Sequence, residues 1–259
     1  MITDAKDELD ASDELTVDQL TAAWTITQRR RGHRHSTDDL LTGWYASEKA
    51  PGRTRLLDLG TGIGSVGLLA LWRAPDATLT AIEAQETSFR LFLRNIAANG
   101  LAARVRAVHG DLRFVRFPDE TFDLVTGSPP YFDVKDGIVS PDPQRAHARF
   151  ELRGDVRDYC VAARAAMAEG ARFVFCFPTV QRARAEAAIR DARLALVVSR
   201  DVIPRRGLAA LFSLFACRRA EDPAELAGEP VLEPPYVVRD ERGSPSEEHE
   251  RTRASFGFR

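Results

Sequence analysis

The sequence predicts a doubly wound α/β fold, a mostly parallel sheet with a C-terminal antiparallel hairpin. Between residues 54 and 219 short apolar segments alternate regularly with helix-patterned ones, the signature of strands joined by crossover helices. The strand candidates are continuously apolar, as strands covered on both faces are. The first of them runs directly into a glycine-rich turn and a helix, in Leu56-Leu57-Asp58-Leu59-Gly60-Thr61-Gly62-Ile63-Gly64.

At 259 residues the chain accommodates one such domain with extensions. Its 44% hydrophobic and 29% charged content is that of a soluble globular protein, and no apolar run approaches the roughly 18 residues of a membrane span. Residues 1–8 are acidic where a secretory signal would be basic and then apolar, so a cytoplasmic location is expected. Cys160, Cys176 and Cys217 stand singly, a spacing that supports neither a disulfide framework nor a zinc site. With a formal net charge of -2, any affinity for nucleic acid must come from local basic patches.

In order, residues 1–14 read as a disordered acidic leader, and 15–53 as an N-terminal strand and helix extension. Residues 24–28 alternate like a short strand and lead into the most basic stretch of the chain, Arg29 to His35. Ser36 and Asp39 have capping-box spacing and open a helix over 37–48, which Pro51-Gly52 ends. Strands are then expected at 54–59, 79–83, 105–108, 122–127 and 172–177, and as a pair at 194–203 and 209–218 joined through Pro204-Arg205-Arg206-Gly207. The intervening helices run from 64 to 73, through Phe89, Phe92, Leu93 and Ile96 to a stop at Gly100, and over 155–167 and 180–190. From 220 to 259 proline, glutamate and aspartate dominate without periodicity, and an extended or disordered tail is expected, ending in Phe256-Gly257-Phe258 with no assigned partner.

In such a sheet ligands sit beyond the carboxyl ends of the strands. Asp58 and the loop glycines Gly60, Gly62 and Gly64 end the first. Glycines there permit positive φ and close approach of a ligand, and the helix that follows offers N–H donors. The spacing is G-x-G-x-G, with Ser65 where a dinucleotide loop would place its third glycine. Glu83 ends the second strand about 20 residues on, where a carboxylate accepts from both ribose hydroxyls. Asp111 ends the third and is positioned to accept from an adenine amine. Ser128-Pro129-Pro130-Tyr131 ends the fourth. An exocyclic amine is a poor nucleophile because its lone pair is delocalised. A side-chain oxygen at Ser128 and the Pro129 carbonyl would accept its N–H groups and favour a pyramidal nitrogen, the prolines would stiffen that carbonyl, and Tyr131 would give a planar group a face to stack on.

These motifs resemble the N-methyltransferases whose fourth strand carries [Asn/Asp/Ser]-Pro-Pro-[Tyr/Phe/Trp], and the glycine loop resembles the S-adenosylmethionine (SAM) loop of class I methyltransferases. Within that group the chain is similar to the tRNA1(Val) adenine-N6-methyltransferase family, through His35-Ser36-Thr37-Asp38, Tyr131-Phe132 and the arm Arg145 to Glu151. The resemblance implies a Rossmann-like methyltransferase domain over 54–219, SAM as cofactor, Asp38 among the cofactor-binding residues, and adenine N6 in tRNA as the acceptor. It also implies RNA as partner, with Arg29, Arg30, Arg31, Arg34, Arg205 and Arg206 as phosphate contacts. The family pattern has Asn where this chain has Ser128, which leaves open another nucleic acid, a protein glutamine or a small molecule as acceptor, or a SAM- or RNA-binding module without turnover. The acidic tail is expected to cover or regulate the basic face around Arg29 to Arg34.

Overall fold

A computed structural model of the chain describes residues 14–221 and 229–258. A hairpin of β1 (Leu15–Gln19) and β2 (Thr25–Arg29) precedes helix α1 (Thr37–Lys49). There follow β3 (Arg55–Leu59), α2 (Ser65–Trp72), β4 (Thr78–Glu83), α3 (Glu86–Ala98), β5 (Val105–His109) and β6 (Phe122–Gly127). Next come α4 (Pro143–Arg149), α5 (Val156–Ala166), β7 (Met167–Pro178), α6 (Arg182–Asp191), β8 (Leu194–Ile203) and β9 (Phe212–Arg219). Strand β10 (Val231–Val237) and helix α7 (Glu247–Ser255) complete the described chain.

Strand β3 buries every residue after Arg55, which demands a neighbour on each edge and cover on each face. Parallel β4 and β6 flank it, in an eight-stranded sheet of order β10-β8-β9-β7-β6-β3-β4-β5. The chain steps from β3 outward to β4 and β5, then crosses back to β6 and β7. The carboxyl ends of β3 and β6 therefore flank the point where strand order reverses, the place where open α/β sheets bind ligands. Strand β9 runs antiparallel to both β7 and β8, the expected hairpin. Helix α2 buries every residue from Ser65 to Leu71, consistent with its apolar composition on all sides. Helices α1 and α5 begin where Ser36 and Asp155 stand three residues before an aspartate; Asp39 accepts from the Ser36 N–H at 3.0 Å and Asp158 from that of Asp155 at 3.1 Å. The Arg145 arm contributes α4. Among the described residues no helix is long and apolar enough to cross a membrane.

The N-terminal hairpin is fastened by two asparagines of α3. The Asn95 side chain, fully buried, accepts from Thr27 N–H at 2.7 Å and donates to the carbonyls of Thr27 at 3.2 Å and Ile63 at 2.9 Å. Asn99 accepts from Thr25 N–H and donates to its carbonyl, both at 2.8 Å. Each amide replaces a missing strand neighbour for β2. Because Ile63 lies in the glycine loop, Asn95 also couples the hairpin to the ligand-binding turn.

Two expectations require correction. The hairpin does not end the sheet, because β10 adds parallel to β8 outside it. The tail is not without structure: β10 and α7 are built into the core, while the leader residues 1–13 and the segment 222–228 lie outside the described residues. Tyr236 is fully buried, with its hydroxyl 2.9 Å from Thr252 Oγ1 and 3.0 Å from His249 Nδ1. The Arg200 guanidinium lies over both Tyr236 and Trp44. Glu233 receives the Tyr45 hydroxyl at 3.0 Å and pairs with Lys49. Beyond α7, Phe256 is fully buried and its carbonyl accepts from Ala22 N–H at 2.8 Å, so the end of the described chain closes against the first hairpin. Composition misled here because Pro234-Pro235 coincides with the register shift of an edge strand, a place where proline is tolerated. Tyr236→Ala is expected to lower unfolding free energy by about 3–5 kcal/mol in urea titrations, the cost of deleting a fully buried aromatic ring.

Candidate active site

At the carboxyl end of β3 the Asp58 carboxylate is almost completely buried, 1% exposed. It accepts from Thr61 Oγ1 at 2.6 Å, Gly67 N–H at 3.0 Å and Thr126 Oγ1 at 2.7 Å, joining its own strand to the loop, helix α2 and β6. Burial raises its pKa to about 6, against the hydrogen bonds of Thr61, Thr126 and Gly67, which lower it. The loop takes positive φ at Gly60, Gly62 and Gly64. A Cβ at Gly60 would fall 2.1 Å from the Tyr159 hydroxyl, and one at Gly64 would strike Phe92. At Gly62 a Cβ would meet no atom within 4 Å, so the loop leaves open space there.

Glu83 closes the other side of the loop. Its Oε2 accepts from Gly62 N–H at 2.8 Å and its Oε1 from Gln85 N–H at 2.6 Å. Burial pushes its pKa up, and the same backbone donors with Ala84 pull it down; the upward push prevails. Asp111 is gripped by Arg113, whose guanidinium donates to both carboxylate oxygens with its shortest contact at 2.6 Å. That bond holds the Asp111 pKa below the usual carboxylate range.

Ser128 lies with its Oγ 3.5 Å from the Cys176 thiol of β7. The Tyr131 hydroxyl donates to Asp38 Oδ2 at 2.9 Å and sits 3.3 Å from the same thiol, while its ring stands edge-on to Phe177 at 5.9 Å. Burial pushes the Cys176 pKa up to about 12, so the thiol stays neutral beneath the motif. Gln181 fixes the motif from behind, donating to the Tyr131 carbonyl at 2.7 Å.

One cavity of about 370 Å³ is lined by Asp38, Asp58, Gly60, Gly62, Glu83, Asp111, Ser128, Pro129 and Tyr131, a size usual for small-molecule sites. Of the ten residues singled out from sequence, only Gly64 does not line it; Gly64 stands at the start of α2 against Phe92. Asp38 is bonded to Tyr131, on the side of the Ser-Pro-Pro-Tyr motif. Several further residues line it that were not individually singled out from sequence, although His33 lies in the basic stretch and His147 in the Arg145 arm. Tyr159 reaches the loop from α5, and His33, Gln144, His147 and Arg153 arrive from the β2–α1 connection, α4 and the segment before α5. Contacts across such separations are set by packing, and the patterning of each segment alone does not reveal them. Among the described residues no three His, Cys, Asp or Glu side chains converge as metal ligands would.

The six arginines expected to contact phosphate are not together. Arg29 pairs with Asp142 at 2.8 Å, Arg30 with Glu14 at 3.3 Å and Arg34 with Asp18 at 2.8 Å. Arg205 and Arg206 lie on the β8–β9 connection and both bind Glu241. Arg31 is exposed beside Arg29 and Arg30.

Residues 56–137 match the family model described as a methyltransferase domain. Over 127 residues the chain is 35% identical to a tRNA1(Val) (adenine(37)-N6)-methyltransferase of Bacteroides thetaiotaomicron, covering 49% of this chain and 52% of that protein. Over 102 residues it is 34% identical to a ribosomal protein uL3 glutamine methyltransferase of Bradyrhizobium diazoefficiens, covering 39% of this chain and 32% of that one. The matches thus span about half the length of the first relative and a third of the second. The crystal structure of a predicted O-methyltransferase of Agrobacterium tumefaciens shares the fold with TM-score 0.65 and 20% identity, over 85% of this chain and 97% of that one. Together these likenesses assign residues 56–137 a methyltransferase domain and the chain the fold of solved methyltransferases, with a resemblance to the tRNA1(Val) adenine-N6 family.

Asp58 has a folded pKa above its unfolded value. The folded state therefore holds the proton more tightly, and this contribution to stability is full below about pH 4 and lost as pH rises through about 6. Asp58→Asn is expected to flatten that segment: the stability of the variant minus that of the wild type, from urea titrations at several pH values, rises between about pH 4 and pH 6.

Proposed function

We propose that the protein transfers a methyl group from SAM to an exocyclic amino nitrogen, adenine N6 in a tRNA. The observation that carries this is the Ser128-Pro129-Pro130-Tyr131 motif in the same cavity as Gly60, Gly62 and Glu83. An acceptor nitrogen held at the motif would face a donor held at the loop.

The residues present fit SAM. Open space above Gly62 suits the close approach of a ligand to backbone. Glu83 retains lone pairs beyond its two backbone donors with which to accept from ribose hydroxyls. Asp111, kept ionised by Arg113, would accept an adenine amine. Asp58 is too enclosed to meet the ligand broadly and would act by holding the loop in shape. Bound SAM would supply an electrophilic methyl on a sulfonium.

The chain's own work is positioning. The Ser128 hydroxyl and Pro129 carbonyl would accept from the acceptor amine and turn its lone pair toward the donor, and alignment of this kind supplies a large share of rate. The Cys176 thiol limits the directions the Ser128 hydroxyl can take. Tyr131, fixed by Asp38, Phe177 and Gln181, would form one wall for a planar base. Likeness to the Bacteroides enzyme, whose name gives adenine-N6 in tRNA, favours that acceptor. Likeness to the uL3 enzyme supports a second reading, a protein glutamine whose side-chain amide presents the same planar nitrogen.

The test is methyl transfer from labelled SAM to total tRNA and rRNA, followed by digestion to nucleosides. Methylated adenosine from tRNA is the expected product; label in ribosomal protein and none in RNA would replace the first reading by the second. Glu83→Ala is expected to weaken SAM binding about tenfold or more by calorimetry, through loss of charge-assisted hydrogen bonds. Ser128→Ala is expected to lower kcat by about 10² while SAM affinity stays within about threefold, as when one donor or acceptor to the reacting group is removed.

A further inference from the structure

Beside the candidate active site lies a second cavity of about 540 Å³, lined by Arg29, Arg30, Arg31 and Arg145 together with Ser140 of the loop before α4. Two carboxylates share it. Asp142 holds Arg29 in place, with both side chains mostly buried. Glu14 reaches Arg30 at 3.3 Å, but those side chains are 65% and 61% exposed, and so open a pair exchanges readily for a stronger anion. Arg145 bonds the Gly32 carbonyl through its Nε at 3.3 Å and lines the cavity. Among the described residues four arginines and two carboxylates line it, a local excess of positive charge on a chain whose overall charge is negative.

The two cavities are lined by neighbouring residues of the same two segments. Gly32 packs directly on Gln144, where a Cβ would fall 2.0 Å from its Oε1. Gln144 and His33 line the candidate active site, whereas Arg145, the next residue after Gln144, and Arg31, two residues before His33, line the cationic recess. Helix α4 and the β2–α1 connection thus present a pocket for a planar group and, one or two residues over, a set of forked donors. A nucleotide presented for methylation has this layout. Its base leaves the strand and enters a pocket, and the adjoining phosphodiester stays outside at a short tether. Guanidinium forks match phosphate oxygens in geometry as well as charge.

We propose that the arginine recess seats a phosphodiester of the RNA strand next to the nucleotide whose base enters the candidate active site, with Arg31 and Arg145 as its clamps and Arg29, held by Asp142, as its floor. This rests on the RNA acceptor proposed above. It also narrows the electrostatic footprint to one built site, and it brings in Arg145 and Ser140, which sequence patterning did not connect with the basic run.

The experiment uses the full chain and a fluorescein-labelled tRNA anticodon stem–loop followed by anisotropy at several salt concentrations, with SAM binding measured in parallel. Arg31→Gln with Arg145→Gln is expected to weaken RNA binding about tenfold, to lower the slope of log affinity against log salt by about one, and to leave SAM affinity within about twofold. The charge-matched variant Arg205→Gln with Arg206→Gln removes two positive charges elsewhere and is expected to change RNA affinity less than about twofold. Equal losses in the two variants would mean a general field and overturn the seated phosphate, as would unchanged affinity in the first variant with RNA methylation by the wild type intact. A wild type that binds SAM but neither binds nor methylates RNA would remove the RNA acceptor and this site together.

Discussion

The buried Asp58 carboxylate is the interaction on which the site depends. One side chain, with almost no access to water, receives donors from the loop, from the first turn of α2 and from β6. A carboxylate so enclosed is unfavourable unless its lone pairs are satisfied, so the donors and the acceptor impose geometry on one another. The consequence is a fixed separation between the glycine loop and the end of β6, where Ser128 begins. Glu83 performs a lesser version of the same task, joining Gly62 to the start of α3.

Both ends of the described chain brace this centre from outside. The first hairpin is held to α3 by Asn95 and Asn99, and Asn95 also reaches the glycine loop through Ile63. The last described residues return to the same hairpin at Ala22, while β10 packs on α1 through Tyr236 against Trp44 and Glu233 against Tyr45, with α7 backing Tyr236. Helix α1 carries Asp38, and Asp38 holds Tyr131. Packing contributed by the tail therefore reaches the acceptor side of the cavity through one helix.

Charge is divided by position. Near the loop the carboxylates are buried or gripped, which restricts them to hydrogen bonding. Around the second cavity the cations come from β2, its connection to α1, and α4, and two of them are engaged by Asp142 and Glu14. Arg205 and Arg206, equally basic in sequence, meet Glu241 instead. Local composition does not separate these two fates; the partner across the fold does.

The sequence by itself determined the alternation of strands and helices from Arg55 onward, the positions of the strand ends, and the residues at four of them. Those features rest on local causes: continuously apolar runs for the strands, period-3.6 patterning for the helices, glycine at positive φ, and capping residues three apart. Only the tertiary structure decided that the tail would be ordered, because the stability of an edge strand containing Pro234-Pro235 comes from Arg200, Trp44 and α7, which lie far away in the chain. It likewise decided that Asp38 would hold Tyr131, that Cys176 would lie under Ser128, and that Arg31 and Arg145 would share a recess. Each of these pairs residues from different elements, and contact at such separations is fixed by how the faces of helices and sheet pack, information that no single segment carries.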